Sequence, residues 1–326
     1  MNKFSIKSTK RLAKKVGRGV CHWKNVLFDT SPKLLVLVFH RIVPIITSDP
    51  LNIMLSEKKF IRQLDALAIK YPVISLSDAV HQADSGKVKA KCQIALTFDD
   101  GYRDNYEVAF PVLRKKGIPA AFFIATDYMD GGTPLWDFFL ISTLFHNKIN
   151  DIHVGDSVVR KMAVESRPSF IFRAFDRIKS LEPQKRRQIM DLLRIHAGSG
   201  GSVPACAEDR CMTWENVRTM SRAGMEFGSH GMSHTSLARV TGNVAEQEII
   251  ASKDIIERNI QKRCDHFAFP FGSRRDYSDA LVASVGKAAY KTCLLNVHGY
   301  NYFDKDFFCL KRIIMDEYTD VRHILG

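Results

Sequence analysis

Apolar residues in this chain come in short runs set between longer stretches of mixed character. From Pro32 onward the runs are Leu34–Phe39, Ile94–Phe98, Ala120–Ala125, Met225–Gly228, His266–Phe269, Thr292–Leu295 and Cys309–Ile314. Short continuous runs of this kind suit strands buried on both faces, as in a parallel sheet. Between them, Glu57–Ile69, Ala109–Lys116, Trp214–Arg222 and Asn243–Asn259 read as helices. Strand and helix alternating along the chain predict an α/β fold. Seven such units exceed what a simple layered domain needs, so the pattern predicts a barrel.

One interval breaks the rhythm. About 100 residues separate Ala125 from Met225, far more than an ordinary connection. Within it, Leu135–Phe145, Phe170–Leu181 and Pro183–Ile195 read as helices, and Gly198-Ser199-Gly200-Gly201 as a loop. The interval is therefore a helical insertion, spanning about residues 130–212, expected to pack beside the barrel mouth. No internal repeat or low-complexity tract is present. The organisation expected is a basic arm over residues 1–31 and a barrel over residues 32–326.

Composition changes the picture little, but charge does. The 326 residues are 45% hydrophobic and 25% charged, which excludes a disordered chain, a collagen and a coiled coil. The apolar runs are too short to cross a bilayer. The net charge is +13, and residues 1–28 supply +8 of it with no acidic residue. Charges continue to Lys24, so the segment lacks the apolar stretch of a secretory leader. Leu12, Val16 and Val20 would form one helical stripe against lysines. That stripe fits peripheral contact with an anionic membrane surface, packing on the protein's own domain, or a solvated tail. The basic excess lies largely in the arm and no nucleic-acid module is recognisable, so no nucleic-acid partner is expected. Seven cysteines, with no C-x-x-C pair, argue against a disulfide framework and a zinc ribbon. The expectation is a cytoplasmic protein, peripheral at the inner membrane face if the arm binds lipid.

Candidate chemistry sits in three places. Thr97-Phe98-Asp99-Asp100-Gly101-Tyr102 puts two carboxylates at a strand end. Two close carboxylates repel unless a cation or a shared proton relieves them, although Asp-Asp-Gly is also ordinary turn chemistry. Gly228-Ser229-His230-Gly231-Met232-Ser233-His234 places two histidines at i and i+4, a spacing that lets both imidazoles grip one ion. Combined with an aspartate from another strand end, the pair leaves coordination positions open, as catalytic metal sites do. Phe267-Ala268-Phe269-Pro270-Phe271-Gly272 reads as a strand ending in a fixed turn beside an apolar wall. Its amides could donate to an oxyanion, or it could simply be core.

These motifs in this order resemble the polysaccharide deacetylase family (carbohydrate esterase family 4, the NodB homology domain), over roughly Leu34 to Ile314. The resemblance implies a distorted (β/α)7 barrel of the polysaccharide deacetylase type, with the helical insertion as an addition. It implies a metal-dependent hydrolase that removes N-acetyl groups from amino-sugar units of a glycan. It assigns Asp99 as general base and Asp100, His230 and His234 as ligands of a divalent ion. Zn2+ is expected first, with Co2+, Mn2+ or Ni2+ compatible with the same ligand types. Pro270 and Phe271 line the substrate side, with the Phe271 amide as oxyanion donor. Sugar rings stack on aromatic faces, and Tyr102 is the aromatic placed in the site ahead of Trp136 and Trp214, although each could equally be core.

The sequence departs from the family pattern at two points. Ala268 stands where an arginine usually braces the base, and Arg312 on the last strand is the substitute proposed. No Leu-x-His motif supplies the general acid. His40, ending the first strand, is preferred over His298 because barrel geometry would bring it to the same mouth. These departures keep open a catalytically impaired, glycan-binding relative. A non-haem iron oxygenase shares the two-His-one-carboxylate set, but the adjacent aspartates and the α/β pattern argue against it.

Overall fold

The computed structural model describes residues 31–325, apart from 131, 148, 155–156 and 199–208. The arm stripe at Leu12, Val16 and Val20, and residues 199–201 of the expected glycine-rich loop, lie outside the described residues.

Seven parallel strand positions form the barrel. They are β1 (Lys33–Phe39), β2 (Cys92–Phe98), β3 (Ala121–Ile124), β4 (Glu226–Ser229), β5 (His266–Ala268), β6 (Thr292–Leu295), and a last strand in two pieces, β7 (Cys309–Lys311) and β8 (Ile313–Ile314). They pair in sequence order. The split strand brings the sheet round on itself, because β7 pairs with β6 and β8 pairs with β1. The break falls at Arg312. The ring is uneven: β1 and β2 share a seven-residue register, whereas β4 and β5 meet only through Ser229 and Phe267. That unevenness is the distortion of the expected (β/α)7 barrel. Asn301–Tyr302 adds an antiparallel contact to β1.

Side-chain alternation sorts the strands into two faces. Leu35, Leu37, Phe39, Ile94, Leu96 and Phe98 join a core shared with the surrounding helices. Leu34, Val36, Ala95, Ala121, Phe123, Ala268, Leu294 and Leu310 form a separate buried cluster, the barrel interior. The interior is crowded. A Cβ on Gly228 would lie 2.4 Å from the Phe123 ring and 2.8 Å from the His266 carbonyl oxygen.

The helices are α1 (Glu57–Lys70), α2 (Leu76–Ser85), α3 (Phe110–Lys116), α4 (Trp136–His146), α5 (Arg167–Lys179), α6 (Pro183–Gly198), α7 (Trp214–Arg222), α8 (Gly242–Ile260), α9 (Asp279–Lys287) and a short α10 (Val321–Leu325). A π-helical turn, Asn105–Ala109, leads into α3. Thr213 and Asn216 form a reciprocal capping box at the start of α7, fixing that boundary where the sequence places it. Helices α4, α5 and α6 and a hairpin (Asp151–Val154 with Ser157–Arg160) make up the insertion. It carries its own core of Trp136, Phe139, Leu140, Leu144, Phe170 and Ile178, among others. Gly198 belongs to the end of α6, not to a loop. Among the described residues, no helix is long and apolar enough to cross a membrane.

Candidate active site and metal centre

The barrel's alternation dictates what meets at its mouth. Val36 and Ala95 face inward, so two-residue steps carry the inward face to His40 after β1 and to Asp99 after β2. The same counting leads from Leu294 to Asn296 and from Leu310 to Arg312. The C-terminal ends of the parallel strands thus deliver a polar set to one place, as in other α/β barrels.

Asp99 is fully buried, and its amide extends the β1–β2 ladder by donating to the Phe39 carbonyl at 2.9 Å. Arg312 clamps its carboxylate through two parallel bonds of 2.7 Å each. Such a fork matches the planar geometry of a guanidinium on a carboxylate. Arg312 is itself held by Asn296 Oδ1 at 2.7 Å and the Leu295 carbonyl at 3.4 Å. Burial works to raise the Asp99 pKa. The charge of Arg312, followed by His230, the Arg312 hydrogen bonds and His40, prevails and holds it below the ordinary 3.8.

Asp100 turns away from the strand direction with φ +76°, which frees its side chain from the strand's alternation. Its Oδ1 lies 3.4 Å from His230 Nε2 and 3.2 Å from His234 Nε2. These three residues are buried, with one ligand atom apiece within 4.8 Å of one another. Tetrahedral bonds of about 2.0–2.1 Å place neighbouring ligand atoms roughly 3.3–3.4 Å apart, so the two Asp100–histidine separations fit ligands sharing one divalent ion. His230 Nδ1 lies 2.7 Å from the Ala268 carbonyl. Donating there puts the proton on Nδ1 and leaves the Nε2 lone pair directed at the triad. Ala268 thus contributes its backbone carbonyl at the position where the family pattern has an arginine side chain. Burial would raise the Asp100 pKa, but the charge of His234, foremost among the opposing causes, holds it well below 3.8.

The turn carrying His234 is braced from two sides. Glu248 of α8 accepts from the amides of Met232 at 2.6 Å and Ser233 at 3.0 Å. From the insertion, the buried Arg186 of α6 donates to the Ser233 carbonyl at 3.0 Å and to Thr235 Oγ1 at 2.5 Å. Trp136 Nε1 of α4 donates to the His234 carbonyl at 2.9 Å. Asp137, next in the chain, sets its Oδ1 3.4 Å from His234 Nδ1. Burial lowers the His234 pKa, but Asp137 and Asp100 outweigh it and raise it to about 10. Three non-glycine residues here, Asp100, His234 and Phe271, have positive φ. Backbone of that kind costs about 1–3 kcal/mol and persists where surroundings enforce it.

The other expected residues are placed as follows. His40 is close enough that its charge bears on both Asp99 and Asp100, and its Nδ1 is buried without a hydrogen-bond partner. His298 lies exposed in the segment after β6, and the partial desolvation of its ring lowers its pKa. Pro270 is buried. Phe271 is half-buried, with its ring 4.6 Å from that of His234. The turn after Phe271 requires Gly272, where φ is +57° and a Cβ would lie 2.7 Å from the Asn296 amide nitrogen. The amides of Phe271 and Tyr102 donate to no acceptor among the described residues. Tyr102 corrects an expectation, since its ring is 1% exposed, closed in by Phe138 and by the Arg41 guanidinium 4.9 Å from its centre. Packing has sealed the face that a sugar would need. Trp136 and Trp214 are buried too. Sequence reasoning missed Asn296, which the inward alternation could have found. It also missed Asp137, Arg186 and Glu248, which no spacing announces.

A sequence model of the family described as polysaccharide deacetylase matches residues 86–292. The provisionally named polysaccharide deacetylase YxkH of Bacillus subtilis (strain 168) is 31% identical over 286 residues, 87% of this chain and 72% of that one. Among solved structures, the fold is similar to the deacetylase PplD of Streptococcus pyogenes in complex with acetate. The TM-score is 0.61 at 18% identity, covering 91% of this chain and 98% of that one. IcaB from Ammonifex degensii gives 0.57 at 16% identity, covering 88% and 93%.

Proposed function

The chain belongs to the polysaccharide deacetylase family, and from that premise we propose that it is a metal-dependent hydrolase removing N-acetyl groups from amino-sugar units of a poly- or oligosaccharide. The observation that carries the proposal is the buried cluster of Asp100, His230 and His234 with Asp99 beside it. Asp100, His230 and His234 would hold a divalent ion, which supplies Lewis acidity toward an amide carbonyl and acidifies a water. Asp99, kept ionised by Arg312, takes the proton of the attacking water on its carboxylate. The amides of Tyr102 and Phe271 are available to donate to the carbonyl oxygen as negative charge develops there. His40 is the group proposed to protonate the departing amine. Its charge bears on both Asp99 and Asp100, and its buried Nδ1 has no hydrogen-bond partner, which supports that role.

Arg312 also bears on the glycan-binding alternative. That reading drew its force from the missing arginine before Pro270, and a guanidinium reaches Asp99 from the last strand instead. Zinc is the ion proposed, because two imidazoles and a carboxylate suit it. The proposed place of action is the cytoplasmic face of a membrane, with the basic residues 1–28 drawn to anionic headgroups. Equal binding of full-length and arm-less protein to anionic liposomes would remove that part of the proposal.

The test is acetate release from N-acetylated glucosamine oligomers by metal-reconstituted protein. Release abolished by both Asp99→Asn and His230→Ala is the expected result. No release from a broad panel, with folding and bound metal confirmed, would return the glycan-binding reading.

A further inference from the structure

The insertion contributes a polar group to the metal centre that none of the barrel motifs contains. His234 Nε2 faces Asp100, and its other ring nitrogen, Nδ1, faces Asp137 Oδ1 at 3.4 Å. Both of these second atoms are buried, and neither has a hydrogen-bond partner. Two orphaned polar atoms facing each other inside a protein are costly unless they join. A small rotation of the imidazole joins them, with the proton on Nδ1 and the Nε2 lone pair directed at the triad. Trp136, the residue before Asp137, already holds the His234 carbonyl, so the first turn of α4 grips this histidine at backbone and ring together. His230 achieves the same tautomer through the Ala268 carbonyl, a barrel element. The two ligands are oriented by different parts of the chain.

We propose that Asp137 is a positioning residue that fixes the tautomer and orientation of His234 and slows release of the ion. The proposal rests on the metal-dependent reading given above. A carboxylate behind a ligating imidazole fixes the ring and raises its basicity, and losing it typically costs about 10–100-fold in metal affinity. The insertion is on this view part of the metal centre.

The experiment loads wild type, Asp137→Ala and Asp137→Asn with zinc and follows transfer of the ion to excess chromogenic chelator. Release rates avoid the proton competition that complicates affinities at one pH. Asp137→Ala should release zinc about 10–100-fold faster than wild type. Asp137→Asn keeps the shape and one acceptor oxygen, and should fall between. Urea midpoints of the metal-free proteins report folding separately, and if the alanine variant does not fold, the asparagine variant carries the test. Release from both folded variants within twofold of wild type overturns the role of Asp137. A wild type that retains no ion overturns the metal-dependent reading itself.

A second observation stands apart from the site. Cys293 of β6 and Cys309 of β7 are direct register partners, with Sγ atoms 3.1 Å apart. Neighbouring strands lie about 4.8 Å apart, inside the roughly 4.4–6.8 Å that Cα atoms of a disulfide span. We infer that this pair is a disulfide-forming site open to exchange with a small-molecule disulfide such as oxidised glutathione. Cys309, the partly exposed member, attacks one glutathione sulfur as its thiolate and expels the other as a thiol. Cys293 then attacks the Cys309 sulfur and expels the second glutathione. The protein loses two hydrogens, and one disulfide becomes two thiols. The bridge would tie β6 to the strand that leads directly into Arg312.

Incubation with oxidised glutathione, followed by non-reducing digestion and mass spectrometry, reads the outcome. Wild type should yield one peptide pair joined through Cys293 and Cys309, and Cys293→Ser should stop at glutathione on Cys309. Free thiols, or only the mixed disulfide, in wild type would overturn the inference.

Discussion

Replacing Arg312 by methionine removes the clamp on Asp99 while nearly preserving side-chain volume. Arg312 is 0% and Asp99 1% exposed at the side chain, and two 2.7 Å bonds join them. Removing one partner of such a buried pair strands the other charge, at a cost of about 3–5 kcal/mol. The sign with pH follows from the two states of Asp99. In the wild type its folded pKa lies below 3.8, so its contribution is present above that value and is lost as pH falls through the folded pKa. In the variant burial acts unopposed by Arg312, the folded pKa rises, and the residue destabilises at every pH above 3.8. The penalty should therefore be full at pH 7 and shrink toward pH 4. Asp99→Asn combined with Arg312→Met removes the stranded charge and should regain much of the loss. Arg312→Lys keeps the charge without the fork and should fall between. Urea unfolding followed by tryptophan fluorescence at several pH values measures all four proteins. A loss below about 1 kcal/mol in Arg312→Met, against the 3–5 kcal/mol expected, would refute the reasoning. So would a double variant no more stable than the single one.

Three further outcomes follow from the structure. Gly228→Ala puts a methyl 2.4 Å from Phe123 and 2.8 Å from the His266 carbonyl oxygen, and should cost about 1–3 kcal/mol by overpacking, read as a lower urea midpoint. His266 is buried between Thr292 Oγ1 at 2.9 Å and Ser77 Oγ at 3.3 Å, and burial, aided by Lys291 and Lys253, lowers its pKa below 6.5. Its contribution is full above pH 6.5 and is lost as pH falls through the folded value, so His266→Gln should flatten the stability profile on the acid side of 6.5. If His40 protonates the leaving amine, His40→Ala should slow N-acetyl hydrolysis by about 10²–10⁴-fold. It should spare an aryl acetate, whose leaving group needs no proton, and equal slowing of both substrates would argue against the role.

The sequence carried the barrel because buried parallel strands leave continuous apolar runs, and Thr292–Leu295 falls where its run does. It did not show that the run Cys309–Ile314 breaks at Arg312, because pairing with two different neighbours is a property of closure. Helices α2 and α9 were not anticipated. In α9 only Val285 is buried, so the core imposes little periodicity on that segment. The metal triad was legible because its residues are close in sequence within two motifs. Arg312 was reachable only by asking what replaces a missing arginine. Asp137 was out of reach, since it meets His234 across 97 positions through an insertion whose packing no motif describes. Tyr102 shows the converse, for an aromatic beside a motif suggests a sugar platform, whereas packing seals its ring against Arg41 and Phe138.

The divided last strand also makes the protein separable at a useful point. Residues 304–306 form an exposed turn, and everything in the proposed metal triad, with Asp99 and His40, lies before it. Arg312 lies after it, on a short piece that re-engages the rest through β7 on β6 and β8 on β1. A chain cut in that turn would leave the proposed metal triad on one fragment and the counter-charge of the base on the other. Recovery of hydrolysis on mixing would then report the meeting of the two fragments, a split enzyme whose signal depends on its last strand finding both neighbours.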